Sequence, residues 1–207
     1  MPFSELDAVI VENIADLQRA NDRIGELDIE VYELIDSLSR DWAARNSWIG
    51  IFRYAEDSLL WLAPAKWEVD ANSGEEIAAR VKIELAFSPD HPGWNNGEDY
   101  YIAGLCGIEG FALGLRLEPN WKAFGRQLRP WKRAARTYAK ELSAAGFPLT
   151  PGGIAFKPLR IEARVLARAM REGVVEEVLE EWWSPILDSL PLVVPIVDAV
   201  YAAGQRE

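Results

Sequence analysis

From Ile10 onward, the apolar positions recur in alternating steps of four and three. The series is Ile10, Ile14, Leu17, Asn21, Ile24, Asp28, Val31, Ile35, Leu38 and Trp42, and eight of the ten are apolar. This is the a/d seam of a coiled coil or of an antiparallel helical pair. Ser4 is placed to cap the start, with Asp7 at the capping-box distance. The two polar seam positions bracket Gly25. Unbroken phase predicts one long helix; the clustered defects allow a fold-back near Gly25 into a helical hairpin, since a mid-helix glycine costs about 1 kcal/mol relative to alanine.

The period then changes. Trp48–Tyr54 and Leu59–Trp67 are aromatic and β-branched runs separated by a four-residue turn, which predicts a hairpin. Arg80–Phe87 alternates, with Val81, Ile83, Leu85 and Phe87 on one face and Arg80, Lys82 and Glu84 on the other. Tyr100–Ile108 and Phe111–Leu117 read as two more strands around Glu109-Gly110. No helical pattern of crossover length interrupts them, so a mostly antiparallel sheet is expected, one face buried and one wet.

Helical spacing returns at Trp121, Phe124, Leu128, Trp131, Ala135, Tyr138 and Leu142, with Asn120 as cap, Gly146 as terminator and Pro130 as a kink or split. Pro148–Phe156 reads as a loop with room for one short strand. Helices are expected over Leu159–Glu172, Val174–Leu190 and Pro195–Ala203.

The predicted fold is therefore α+β. It has a long N-terminal helix or helical hairpin (1–45) and a globular part (46–207). That part holds a mostly antiparallel sheet of about five strands within 46–118 and C-terminal helices, within 120–204, packed on one face.

Charge follows the same divisions. The 207 residues carry 33 acids and 22 bases, net −11. Residues 1–45 and 46–119 are each −7, residues 120–145 are +6, and residues 146–207 are −3. An acidic chain is repelled by nucleic acid except where its charge is uneven. The +6 block presents Lys122, Arg126, Arg129, Lys132, Arg133, Arg136 and Lys140 opposite its apolar stripe. Three readings follow: these bases grip the phosphates of nucleic acid, they pair with the protein's own acids, the Glu176, Glu177, Glu180 and Glu181 run included, or they bind an acidic protein partner. Pairing with its own acids is the expectation here.

The rare residues limit the chemistry. With one cysteine (Cys106) and one histidine (His91), an internal disulfide and a four-ligand Cys/His zinc site are ruled out. Neither a metal nor a cofactor is expected. The 88–99 loop gathers His91 with Asp90, Glu98, Asp99 and Trp94, the only place for acid–base or metal-dependent hydrolysis, with Cys106 as a further nucleophile. The order Lys82-Ile83-Glu84 inverts the acid-then-lysine order of restriction-type nucleases, so Arg53, Lys82, Glu84, Arg116 and Glu118 read as cross-strand ion pairs. Phosphate-binding glycine loops, a G-x-S-x-G elbow and H-E-x-x-H are missing. The apolar tail 182–203 is broken by Asp188, Asp198 and three prolines, so it reads as a buried helical segment and no membrane role is expected. The acidic N-terminus lacks a signal-peptide pattern, which points to the cytoplasm.

The leading expectation is a non-enzymatic interaction protein of adaptor, inhibitor or immunity type. It would bind a protein partner or self-associate to an oligomer. The contact residues would be Ile10, Ile14, Leu17, Asn21, Ile24, Val31, Ile35 and Leu38, with Trp94 in the loop as a second contact. Nucleic-acid binding through Lys122, Arg126, Arg129, Arg133, Arg136 and Lys140 is the alternative, and hydrolysis at His91, Asp90, Asp99 and Cys106 a third.

Overall fold

The computed structural model describes residues 4–69, 77–88, 101–107, 112–124 and 128–206. Ser4 caps helix α1 (Glu5–Glu12): its Oγ accepts from the Asp7 N–H at 3.2 Å, and the Asp7 carboxylate accepts from the Ser4 N–H. Helix α2 (Ile14–Asn46) runs straight through Gly25, so there is no hairpin. A Cβ at Gly25 would meet nothing within 4 Å, so the glycine is a weak spot rather than a turn. The one interruption is Asn13, whose side-chain amide donates to the Val9 carbonyl at 2.8 Å. The backbone ladder continues across it, with Leu17 N–H donating to the Asn13 carbonyl at 2.9 Å.

Strand β1 (Trp48–Arg53) returns through the short helix α3 (Tyr54–Asp57) into β2 (Leu59–Pro64). A two-stranded ribbon of β3 (Glu68–Val69) and β4 (Ala78–Ala79) precedes β5 (Val81–Phe87). The expected fourth strand over 100–108 is instead a helix, α4 (Tyr101–Cys106). Its aromatic and β-branched residues favour a strand locally, but tertiary contacts decide otherwise. Asp28, a polar defect in the helical seam, accepts from the Ile102 N–H at 2.7 Å and caps α4 from across the fold. Gly104 lets the Phe87 ring lie where a Cβ would come within 2.5 Å.

Strand β6 (Leu113–Pro119) follows; a 3-10 turn (Trp121–Phe124) and helices α5 (Arg129–Thr137) and α6 (Ala139–Ala144) come next. Pro130 stands in the first turn of α5, where its missing N–H costs nothing, so the predicted helix is split at its proline. Asn120 caps the 3-10 turn and Gly146, at φ +86°, ends α6. The fifth sheet strand is β7 (Phe156–Pro158), before helices α7 (Ala163–Glu172), α8 (Val175–Ser189) and α9 (Val194–Gly204).

The sheet order is β1-β2-β5-β6-β7, antiparallel throughout. One face carries Leu60, Leu62, Ile83, Leu85, Leu115 and Leu117, all buried in one core with Val31, Tyr32 and Ile35 of α2, Trp183 of α8 and Val197 of α9. Indole N–H groups tie the layers. Trp183 donates to Ser39 and Trp42 to Asp188, both at 2.8 Å, and Trp67 donates to Asp198 at 2.7 Å. Much of the tryptophan load is thus structural, a large apolar body with one polar tether. No single helix among the described residues is long and apolar enough to cross a membrane.

Candidate functional site

Three surfaces carry the candidate residues. The first is the arm formed by α1 and the first turns of α2. Ile10, Ile14 and Leu17 are exposed, as are Leu6, Val9 and Val11 beside them, which the stepwise reading left out. Asn21 is exposed, while Ile24 and Asp28 are half-buried. Beyond them the same stripe turns inward. Val31 and Ile35 are each 1% exposed and Leu38 is half-buried, so the seam residues from Val31 onward are closed to a partner by the protein's own core.

Heptad letters show where the arm's charges lie. With Ile14 and Asn21 at a, and Ile10, Leu17 and Ile24 at d, the flanking e and g positions are Val11, Asn13, Gln18, Ala20 and Gly25. All charges between Ile10 and Ile24, namely Glu12, Asp16, Arg19, Asp22 and Arg23, occupy b, c or f. They are satisfied on the outer side: Arg19 pairs with Asp16, and Arg23 with Glu26 at 2.7 Å and Glu30 at 2.9 Å.

The second surface is the polar face of the sheet. Register sets Lys82 opposite Glu118 and Glu84 opposite Arg116. Arg116 binds Glu84 at 2.7 Å and approaches Glu118 at 3.3 Å, while Lys82 Nζ stands 4.8 Å from the Trp61 ring centre. One expected cross-strand ion pair, Arg116 with Glu84, is present, half-buried in a cleft of about 370 Å³ that Trp61, Asn120 and Lys122 also line, while Arg116 and Glu118 are neighbours within β6. Burial raises the Glu118 carboxyl above the ordinary glutamate range, with Glu84 adding to the shift and Arg116, Lys82 and Lys132 opposing it. The indole nitrogen of Trp61 is buried there without a hydrogen-bond partner. Arg53 lies apart and pairs with Asp57 at 3.3 Å.

The third surface is the outer side of α5. Trp131, Ala134 and Ala135 face the core, and Arg129, Arg133 and Arg136 face outward; Lys122 and Lys140 are also exposed. Arg129, Lys132, Arg133, Arg136 and Leu128 line a shallow depression of about 420 Å³. The expected neutralisation by the acids of α8 does not occur among the described residues. No ion pair joins the two helices, because α5 packs against α9 and not α8. Arg126 lies outside the described residues.

The hydrolytic candidates divide. His91, Asp90, Asp99 and Trp94 lie outside the described residues. Cys106 sits in α4 rather than in a strand, 7% exposed, and burial raises its thiol against the opposing charge of Arg160. A raised thiol is a poor nucleophile. Lys157 and Ser189 form a pair that sequence reasoning missed, at 2.8 Å, with burial lowering the lysine. The Lys157 ammonium donates to Ser189 Oγ, whose own proton goes to the Ile186 carbonyl at 2.6 Å. This arrangement braces β7 against the end of α8 and leaves lysine a donor rather than a base. Among the described residues no group of three or more His, Cys, Asp or Glu side chains is placed to hold a metal ion.

No protein-family model matches the chain, and no curated protein or solved structure does.

Proposed function

We propose that this protein is an interaction module that pairs with a second copy of itself through its N-terminal arm, holding two α+β bodies together. The observation that supports the reading is the arm's stripe: Leu6, Ile10, Ile14 and Leu17 exposed along one side, with charge at none of the e and g positions from Val11 to Gly25. Exposed apolar patches rimmed by polar residues mark interaction sites.

A second copy suits this stripe better than a basic partner does. Between Ile10 and Ile24 the arm's acids point away from the seam, so a basic helix laid along that stretch gains no ion pairs there, and an identical helix meets no like charge across it; Asp7, at an a position of α1, is held in the Ser4 cap. Burying an isoleucine or leucine contributes about 1.5–3 kcal/mol. Ile10, Ile14 and Leu17 keep 39%, 55% and 47% of their surface exposed in the single chain, so covering the rest in two copies contributes about half of that figure at each, which reaches the lower part of the estimated cost of association, about 4–15 kcal/mol. The acidic outer surface then stays free for a basic partner, as in an adaptor or an inhibitor. A cytoplasmic location fits this reading, since the only cysteine is a buried thiol.

Sedimentation equilibrium of the full chain tests it. The expected mass is twice 23.2 kDa. The double substitution Ile14→Asp and Leu17→Asp is expected to return a monomer with an unchanged melting profile. A wild-type monomer across micromolar concentrations would refute the pairing.

A further inference from the structure

The cationic side of α5 carries a second inference, independent of the arm. Arg129, Lys132, Arg133 and Arg136 stand at i, i+3, i+4 and i+7, so they share one face over about 10 Å of helix. They line the α5 depression with Leu128 and no acid. Among the described residues Arg129, Lys132 and Arg136 make no ion pair, in a protein whose acids outnumber its bases 33 to 22. Some bases elsewhere in the folded body do find acids: Arg80 and Lys66 bind Asp198, and Arg116 binds Glu84. Like charges at i, i+3 and i+4 destabilise a helix. Among the described residues no ion pair at Arg129 or Arg136 offsets that, and Lys132 meets only the longer-range charge of Glu118, whereas an external anion would offset it.

We propose that this depression binds a compact anion carrying two or more linked phosphate groups. Arg129 and Arg136 present planar forks suited to phosphate oxygens, with Lys132 and Arg133 adding charge beside them. The volume lies within the usual range for small-molecule sites. Two observations separate this from nucleic-acid binding. Of the aromatics of this stretch whose side chains are described, Trp131 and Phe124 are 3% and 8% exposed and Tyr138 is half-buried against the core, so they form no open stacking platform for successive bases. The positive charge is also confined to residues 120–145, while the flanking segments total −17, so a long polyanion leaving the patch meets repulsion that a compact one avoids.

Isothermal titration calorimetry of the full chain with inorganic tripolyphosphate, at about 50 mM salt, tests the site. Saturable one-to-one binding is expected, weakening as salt rises. The double substitution Arg129→Gln and Arg136→Gln is expected to weaken it at least tenfold, and Arg168→Gln on α7 to leave it within twofold. Circular dichroism checks that the variants fold. Arg129→Lys, which keeps charge but loses the fork, is read as well and is expected to weaken binding severalfold. Ile14→Asp with Leu17→Asp is expected to leave the titration unchanged, separating this site from the arm. No heat with the wild-type chain would overturn the proposal, and so would an unaffected double variant. Duplex DNA that binds and is not displaced by tripolyphosphate would assign the patch to nucleic acid instead.

Discussion

Ile14 and Ile35 occupy the same heptad position of the same helix, three repeats apart, yet Ile14 is 55% exposed and Ile35 is 1% exposed. Local sequence treats them alike. The difference is made by what arrives beside them. From Val31 onward, β1, α3 and α8 pack against α2, whereas Ile10, Ile14 and Leu17 of the arm stay exposed among the described residues. The helix carries one stripe with two uses, an internal one that holds the core and an external one left for a second molecule. A continuous hydrophobic period therefore says that something will cover the stripe, but not whether the cover is the same chain.

Deleting the same atoms at both positions separates the two halves of the helix. Ile35→Ala is expected to cost about 2–5 kcal/mol in urea unfolding through a core cavity. Ile14→Ala should change the stability of the body by less than about 0.5 kcal/mol, while weakening association. Similar losses at both would mean that the arm is part of the folded unit. Next in size is Ser39→Ala, on the buried half. It strands the Trp183 indole N–H, now bonded to Ser39 Oγ at 2.8 Å, and should cost about 1–3 kcal/mol. Gly25→Ala, at the junction, goes the other way. With open space around it, a gain of about 1 kcal/mol is expected in thermal melts, and a loss would reveal a need for flexibility there.

The smallest effect is in pH dependence, and it too divides the helical region. On the arm, hydrogen bonds from the Ser4 backbone and side chain lower the Asp7 carboxyl, so its cap is lost only as pH falls through that lowered value. On the buried half, burial raises Asp36, although the backbone N–H groups of Tyr54 and Ala55 and the charge of Arg40 oppose the shift. A carboxyl raised on folding stabilises fully below its unfolded value, about 3.9, and that contribution is lost as pH rises through its folded value. Wild-type stability relative to Asp36→Asn should therefore decline with rising pH across that window. A flat difference in urea unfolding would show that Asp36 is not held above its ordinary range.

Most elements are legible as period changes in the chain: the long helix, the first hairpin, the alternating third strand and the three C-terminal helices. The failures have physical causes. Residues 101–106 have strand-like composition but lie where Asp28 can cap a helix and Gly104 can pass the Phe87 ring, and neither partner is near them in sequence. The fifth strand, Phe156–Pro158, is too short for a period to register. The charge count located the basic stretch but mispaired it. Acids were plentiful, yet α5 packs on α9, whose Asp198 is already held by Lys66, Trp67 and Arg80.

By itself the sequence determined the α+β class, the phase of the helical stripe, the cap at Ser4 and the confinement of positive charge to 120–145. These depend on spacing and composition, which are local. The tertiary structure alone decided where the stripe passes from solvent to core. It also decided that the polar seam residue Asp28 caps another helix, and that the cations of α5 face outward without the acids of α8. Each of those turns on which elements become neighbours, and residues far apart in the chain carry no local record of whom they will meet.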